Sequence, residues 1–222
     1  MEKNFTTWDD SKEISGIEKY LLQRANIPKY QWIEDKLIPT DGDEDAFARL
    51  LDIRNNLRDF ICGEKNNLII CSSSIGNGKT SWAVKLMLTY IEKNAHRLIY
   101  TDEKEVDKLF DIALFCSVIP FLVEMKQFGN NNNTYEMYSR LKKSEFVILD
   151  DIGVSTMSQY DYNILYAIVE SRLFAGLPTI FTTNATSEDE LRNSLGGPRL
   201  ANRIWATSEI INIKGLGLRG VM

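Results

Sequence analysis

Eight consecutive residues, Ser73-Ser74-Ile75-Gly76-Asn77-Gly78-Lys79-Thr80, carry two glycines, a lysine and a hydroxyl in an order suited to holding phosphate. Glycines let the main chain approach an anion closely. Successive backbone N–H groups ahead of a helix then point at phosphate oxygens. On this reading Ser74, Ile75, Gly76, Asn77, Gly78, Lys79, Thr80 and Ser81 bind the phosphates of a nucleotide. The Lys79 ammonium reaches the β- and γ-phosphates, and the Thr80 hydroxyl is a Mg²⁺ ligand. The predicted cofactors are ATP or ADP with Mg²⁺. One position departs from the usual pattern: Ser73 stands where a glycine normally begins it. That costs some turn freedom and leaves the phosphate-contacting end intact.

A second run, Phe146-Val147-Ile148-Leu149-Asp150-Asp151, is an apolar strand ending in two carboxylates. After a phosphate loop, such a strand reads as the Walker-B element of a P-loop protein. Asp150 at its C-terminal end is placed to hold Mg²⁺, directly or through water. Asp151 is placed to orient or polarise an attacking water. Thr182-Thr183-Asn184 closes a later strand, and the Asn184 amide is a candidate partner for the γ-phosphate or the lytic water. Arg199 and Arg203 are four apart on a predicted helix and share a face. A guanidinium fork suits a γ-phosphate bound by a neighbouring subunit. Arg219, after the last strand, is a candidate contact to the bound nucleotide.

These groups need a scaffold, and the hydrophobic pattern supplies one. Apolar runs at Asn67–Cys71, Ala113–Val118, Phe146–Leu149, Pro178–Thr182 and Glu209–Ile213 read as strands. Helices are predicted between them: Lys79 to about Asn94, Ile119 to Phe128 with Pro120 in its first turn, and a segment capped by Ser155 or Thr156 and stopped by Gly176. Ser187 to Glu190 carries a capping-box pattern. A helix over Asp43–Ile61 and a short amphipathic helix ended by Ile27-Pro28 precede the first strand. Gly129 and Asn130 to Asn133 read as an exposed turn between helices. Apolar strands alternating with helices predict an α/β fold, with a parallel sheet covered on both faces.

Composition narrows the function. At 222 residues and 44% hydrophobic, the chain suffices for one well-packed α/β domain. No apolar run is long enough to span a bilayer, and Met1-Glu2-Lys3-Asn4 lacks the apolar core of a signal peptide, so the expected location is cytoplasmic. Three cysteines (Cys62, Cys71 and Cys116) and the single His96 form no zinc pattern, and all three thiols are expected to be free and buried. The net charge of −5 is the wrong sign for a constitutive duplex-DNA binder. Nucleic-acid binding is therefore expected to be local, weak or switched. Tyr135, Tyr138, Arg140, Lys142 and Lys143 make one basic, aromatic cluster. The same residues also read as a solvated helix face over buried tyrosines.

Taken together, these motifs resemble the DnaC/DnaI-type replicative helicase loaders, in their short phage and prophage form within the IstB-like ATPases. The resemblance runs from Ile27-Pro28 to Arg219. It rests on Gly76-Asn77-Gly78-Lys79-Thr80-Ser81-Trp82-Ala83, Leu114-Phe115-Cys116-Ser117-Val118-Ile119-Pro120, Asp150-Asp151-Ile152-Gly153, Pro178 to Asn184, and Arg199-Leu200-Ala201-Asn202-Arg203-Ile204. It implies a P-loop NTPase (AAA+) core with a five-stranded parallel sheet. Residues 1–42 would be an N-terminal extension open to a helicase contact, and 43–222 the ATPase domain. It implies that Arg203 is an arginine finger, Arg219 a sensor-2 residue, and that subunits self-associate through their ATP sites. The partners would be a hexameric replicative helicase and single-stranded DNA, in a bacterial cytoplasm. An IstB-type transposition ATPase and a non-hydrolysing ATP-dependent assembly switch are the rival readings. The segment from Arg97 to Asp111, rich in Asp, Glu and Lys, reads as a solvated insertion.

Overall fold

A computed structural model of the chain describes residues 21–28, 37–39, 42–94, 112–128, 131–154 and 157–215. His96, the Arg97–Asp111 insertion, Gly129, Asn130, the Ser155 and Thr156 caps and Arg219 lie outside these residues, as do residues 1–20.

The described elements are α1 (Glu44–Asn55), α2 (Leu57–Ile61), β1 (Asn67–Cys71), α3 (Lys79–Asn94), β2 (Ala113–Ser117), α4 (Val118–Phe128) and α5 (Asn132–Lys143). They continue with β3 (Phe146–Ile152), α6 (Gln159–Phe174), β4 (Thr179–Thr183), α7 (Glu188–Leu195), α8 (Pro198–Thr207) and β5 (Ser208–Asn212). All strand pairs are parallel, in the order β2-β3-β4-β1-β5.

Successive side chains of a strand point to opposite faces, so each apolar strand feeds two cores. Leu68, Ile70, Phe115, Ile148 and Ile180 join α1 and α3 on one face. Ile69, Cys71, Leu114, Leu149 and Phe181 join α4 and α6 to α8 on the other. This explains why the strands read as unbroken apolar runs.

The order brings β4 between β1 and β3, so three C-terminal strand ends lie side by side. Those ends carry the phosphate loop, the two carboxylates and Asn184. Ser72 N donates to Thr183 O at 3.2 Å, extending the β1–β4 ladder one residue into the loop.

Several boundaries differ from expectation. β2 stops at Ser117 because Val118 opens α4. β3 runs past Leu149 to Ile152, with a register shift against β4 between Leu149 and Ile152. The cap of α6 is Ser158, which accepts from Asp161 N while the Asp161 carboxylate accepts from Ser158 N. At α7, Ser187 Oγ accepts from Glu190 N as the pattern requires, but the Glu190 carboxylate reaches Thr186 N at 2.6 Å, one residue earlier. Cys71 and Cys116 are buried, whereas Cys62 is exposed at the end of α2, where no sheet covers it. Leu21, Leu22, Ala25 and Ile27 pack into the same core as Phe47 and Trp82. Phe115 N donates to Ala25 O at 2.7 Å, so this segment pairs with the outer edge of β2.

Candidate nucleotide site

The loop between β1 and α3 is shaped by two glycines with left-handed backbone, Gly76 (φ 79°) and Gly78 (φ 92°). At Gly78 even a methyl group would lie 3.1 Å from the Leu37 side chain. Ser72 Oγ accepts from Ser74 N at 3.0 Å and also from Asn77 Nδ2. Asn77 Nδ2 further donates to Ile213 O at 3.3 Å, tying the loop to the residues after β5. The loop is therefore held from both ends before any ligand arrives.

Lys79 opens α3 and is buried, its ammonium donating to Ser74 O at 3.0 Å. Thr80 Oγ1 donates to Asp150 Oδ1 at 2.9 Å, which joins the phosphate loop to β3. Thr182 Oγ1, from the intervening β4, donates to the same Asp150 oxygen at 2.7 Å and accepts from Asp151 N at 2.8 Å. One threonine hydroxyl thus sets both carboxylate residues. Asp151 holds φ 59°, a left-handed conformation uncommon for a residue with a side chain. The bulge in β3 and this φ re-aim the chain between the two aspartates.

A cavity of about 220 Å³ opens here. Its walls include Ile75, Gly76, Asn77, Gly78, Lys79, Thr80 and Ser81 on one side, with Asp151, Val154 and Asn184 on the other. The structure therefore brings together most of the residues expected at the site. Ser74 contributes its carbonyl to Lys79, and Asp150 sits behind Thr80, 6% exposed.

Electrostatics agree with a cation site. Burial raises the Asp150 pKa above the ordinary carboxylate value, hydrogen bonds from Thr182 and Thr80 pull it back, and the Asp151 charge adds to the rise. Burial lowers the Lys79 pKa, and the charges of Asp151 and Asp150 oppose that. Asp150 Oδ2 takes no hydrogen bond within the described residues. A desolvated carboxylate beside a hydroxyl is an all-oxygen donor set, which suits Mg²⁺. By contrast, burial raises the Cys71 thiol to about 11 and the Cys116 thiol further, so both are inert.

The two described arginines of the set, Arg199 and Arg203, are elsewhere. Arg203 is on α8, with Nη1 2.5 Å from Glu170 Oε2 and its guanidinium 5.6 Å from the Tyr166 ring centre. Arg199 is exposed on the same helix. Neither lines the cavity of its own chain. The α5 cluster is divided: Tyr135 is 64% exposed, Lys142 Nζ lies 5.3 Å from the Tyr138 ring, and Arg140 donates to Arg24 O at 2.7 Å.

Sequence reading missed Thr182, Ser72 and Val154. Thr182 had a signal, since it lies near the end of an apolar strand, two residues before Asn184. Its role depends on β4 lying beside β3, which no local pattern states.

No family model matches the chain. A stretch of 100 residues, 42% of the chain, is 31% identical to the replicative helicase loader DnaC of Escherichia coli (strain K12). That match covers 40% of the length of the relative. In structure the chain is similar to the DnaC helicase loader (TM-score 0.64, 21% identity, 84% of this chain and 100% of that one). It is also similar to DnaI (TM-score 0.63, 20% identity, 86% and 93%). AMPPCP-bound DnaA from Aquifex aeolicus aligns with TM-score 0.55 and 17% identity over 81% of this chain and 51% of that one. The chain thus shares its fold with the DnaC, DnaI and DnaA structures, and its likeness to DnaC holds in sequence over part of the chain as well as in architecture.

Proposed function

We propose that the chain is an ATP-hydrolysing loader that delivers a hexameric replicative helicase onto single-stranded DNA, with assembly controlled by nucleotide. One observation carries the nucleotide part. The Thr80 hydroxyl and the Asp150 carboxylate meet at 2.9 Å beside a glycine loop, and Asp151 and Asn184 stand across the same cavity.

In this reading the loop amides and the Lys79 ammonium bind the phosphate tail of ATP. Thr80 and Asp150 would hold Mg²⁺, which would supply charge neutralisation to the phosphate tail. Asp151 accepts a hydrogen bond from the lytic water and orients it. The Asn184 amide fixes the water or the γ-phosphate. Neither the Asp151 carboxylate nor the Asn184 amide makes a hydrogen bond within the described residues, so both are available for that work. Arg203, which does not line its own cavity, serves a site on a neighbouring copy, and Arg219 contacts the nucleotide of its own chain.

Similarity to DnaC supports the loading role, with residues 1–42 as the helicase contact. Contact with single-stranded DNA is weak or assembly-dependent, given the net charge of −5. No helix of the described residues is long and apolar enough to cross a membrane, in keeping with a proposed place in the bacterial cytoplasm.

Two measurements test the reading. Calorimetry of Lys79→Ala is expected to show ATP affinity reduced by about 10–100-fold, the worth of one or two charge-assisted contacts. Unchanged affinity would remove the phosphate-loop assignment. A pull-down against the host's replicative helicase is expected to capture it in a nucleotide-dependent way. Failure to capture it with ATP, with ADP and without nucleotide would remove the loading role.

A further inference from the structure

The face of α6 that meets α8 has an order of its own. Tyr162, Tyr166 and Glu170 follow at four-residue steps and so line one side of the helix. The two tyrosine rings stack, with centroids 6.0 Å apart and planes 21° from parallel. Gly197 caps the start of α8, where a Cβ would come within 2.6 Å of the Tyr162 ring. The missing side chain lets α8 begin directly on that ring. Six residues further along, Arg203 reaches the next two rungs, with Cζ 5.6 Å from the Tyr166 ring centre and Nη1 2.5 Å from Glu170 Oε2.

We propose that Glu170 and Tyr166 are positioning residues for Arg203, holding its guanidinium ready for a phosphate bound by a second copy of this chain. The proposal rests on the reading of Arg203 as a finger that acts between subunits. Both side chains of the ion pair are about two-fifths exposed, at 43% for Arg203 and 40% for Glu170. A pair so exposed adds little to stability, which leaves orientation as its effect. Glu170 Oε2 meets only Nη1, as an ion pair without a hydrogen bond. Among the described residues the Nε and Nη2 donors make no hydrogen bond or ion pair, and this is the edge that a phosphate can take in bidentate fashion. A long arginine already held on a ring and a carboxylate loses less rotamer freedom when it engages.

The test uses mixtures of two inactive chains. Lys79→Ala supplies fingers but no working site, and Arg203→Ala supplies sites but no finger. Mixing them is expected to restore hydrolysis. Adding Glu170→Ala to the Lys79→Ala chain is then expected to lower the restored rate about three- to tenfold, the effect of freeing one immobilised side chain. Added instead to the Arg203→Ala chain, it has no finger to position and the restored rate stays. Glu170→Asp, which keeps the carboxylate charge of the ion pair, is expected to recover part of the loss. Tyr166→Leu on the finger-supplying chain is expected to act as Glu170→Ala does. Equal losses on both chains, or loss on neither, would overturn the proposal by showing a general structural role or none. If the mixture regains no activity while each parent chain melts as the wild type does, the trans-acting finger itself falls, and the positioning role with it.

Discussion

Burial strips the Asp150 carboxylate of water, and Thr80 and Thr182 return hydrogen bonds to only one of its oxygens. The group is thus poised for a cation at the expense of the resting fold. Its folded pKa lies above the unfolded one, so between the two values the folded chain holds more protons. Stability therefore falls as pH rises through that window, and the penalty is complete above it. Asp150→Asn is expected to raise the melting temperature of the nucleotide-free protein by a few degrees at neutral pH. The gain should shrink as pH falls through the folded pKa toward the ordinary carboxylate value. Calorimetry over that range checks both parts, and an unchanged or lower melting temperature at pH 7 would contradict them. The same substitution removes the proposed Mg²⁺ ligand, so on that reading stability and function move in opposite directions.

At the scale of elements, α6 does more than cover the sheet. Its Arg172 is 1% exposed and its guanidinium gathers four oxygens: Thr179 Oγ1 at 2.8 Å, Leu141 O at 2.9 Å, Ser144 O at 2.8 Å and Pro178 O at 2.7 Å. These come from the end of α5, the residue before β4 and β4 itself, so one side chain fastens the N-terminal ends of neighbouring strands. Burial lowers its pKa, and the acceptors keep the buried cation satisfied. Arg172→Met would leave three carbonyls and a hydroxyl without their donor, at a cost of about 3 kcal/mol or more. Urea unfolding is expected to show the midpoint falling by that measure, and a shift under about 0.5 kcal/mol would refute the clamp. The opposite end of the sheet has its own close fit. A Cβ on Gly153 would lie 2.3 Å from Ser194 Oγ, so the turn after the two aspartates packs directly on α7. The Asp-Asp-Ile-Gly pattern was legible from the chain, and this contact gives the reason for its glycine.

The whole molecule has its candidate phosphate cavity at the C-terminal strand ends and the exposed Arg203 on α8. On the proposed reading, a site so arranged is completed by another copy. Hydrolysis per chain is accordingly expected to rise with protein concentration. Arg203→Ala should flatten that dependence and lower the plateau by about 100-fold or more, given what fingers contribute elsewhere. Steady-state rates across a dilution series provide the check, and a concentration-independent rate in the unaltered protein would sink the shared-site arrangement. The segment 21–27 belongs to the same scale. By pairing Ala25 with Phe115 it closes one outer edge of the sheet, a long-range contact that its short amphipathic pattern did not announce.

The amino-acid sequence determined the chemistry that neighbours in the chain can build alone. A phosphate cradle is made of consecutive amides, and an apolar run ending in two aspartates is a strand ending in two aspartates wherever it lies. These features, with the α/β alternation, were readable because each depends on spacing over a few residues. Only the tertiary structure decided what depends on which strands become neighbours. It set Thr182 against Asp150, turned Asp151 into a left-handed backbone, and laid Arg203 on Tyr166 beside Glu170. Those contacts join elements tens of residues apart, and their geometry follows from how two cores pack on one sheet, which local periodicity does not encode.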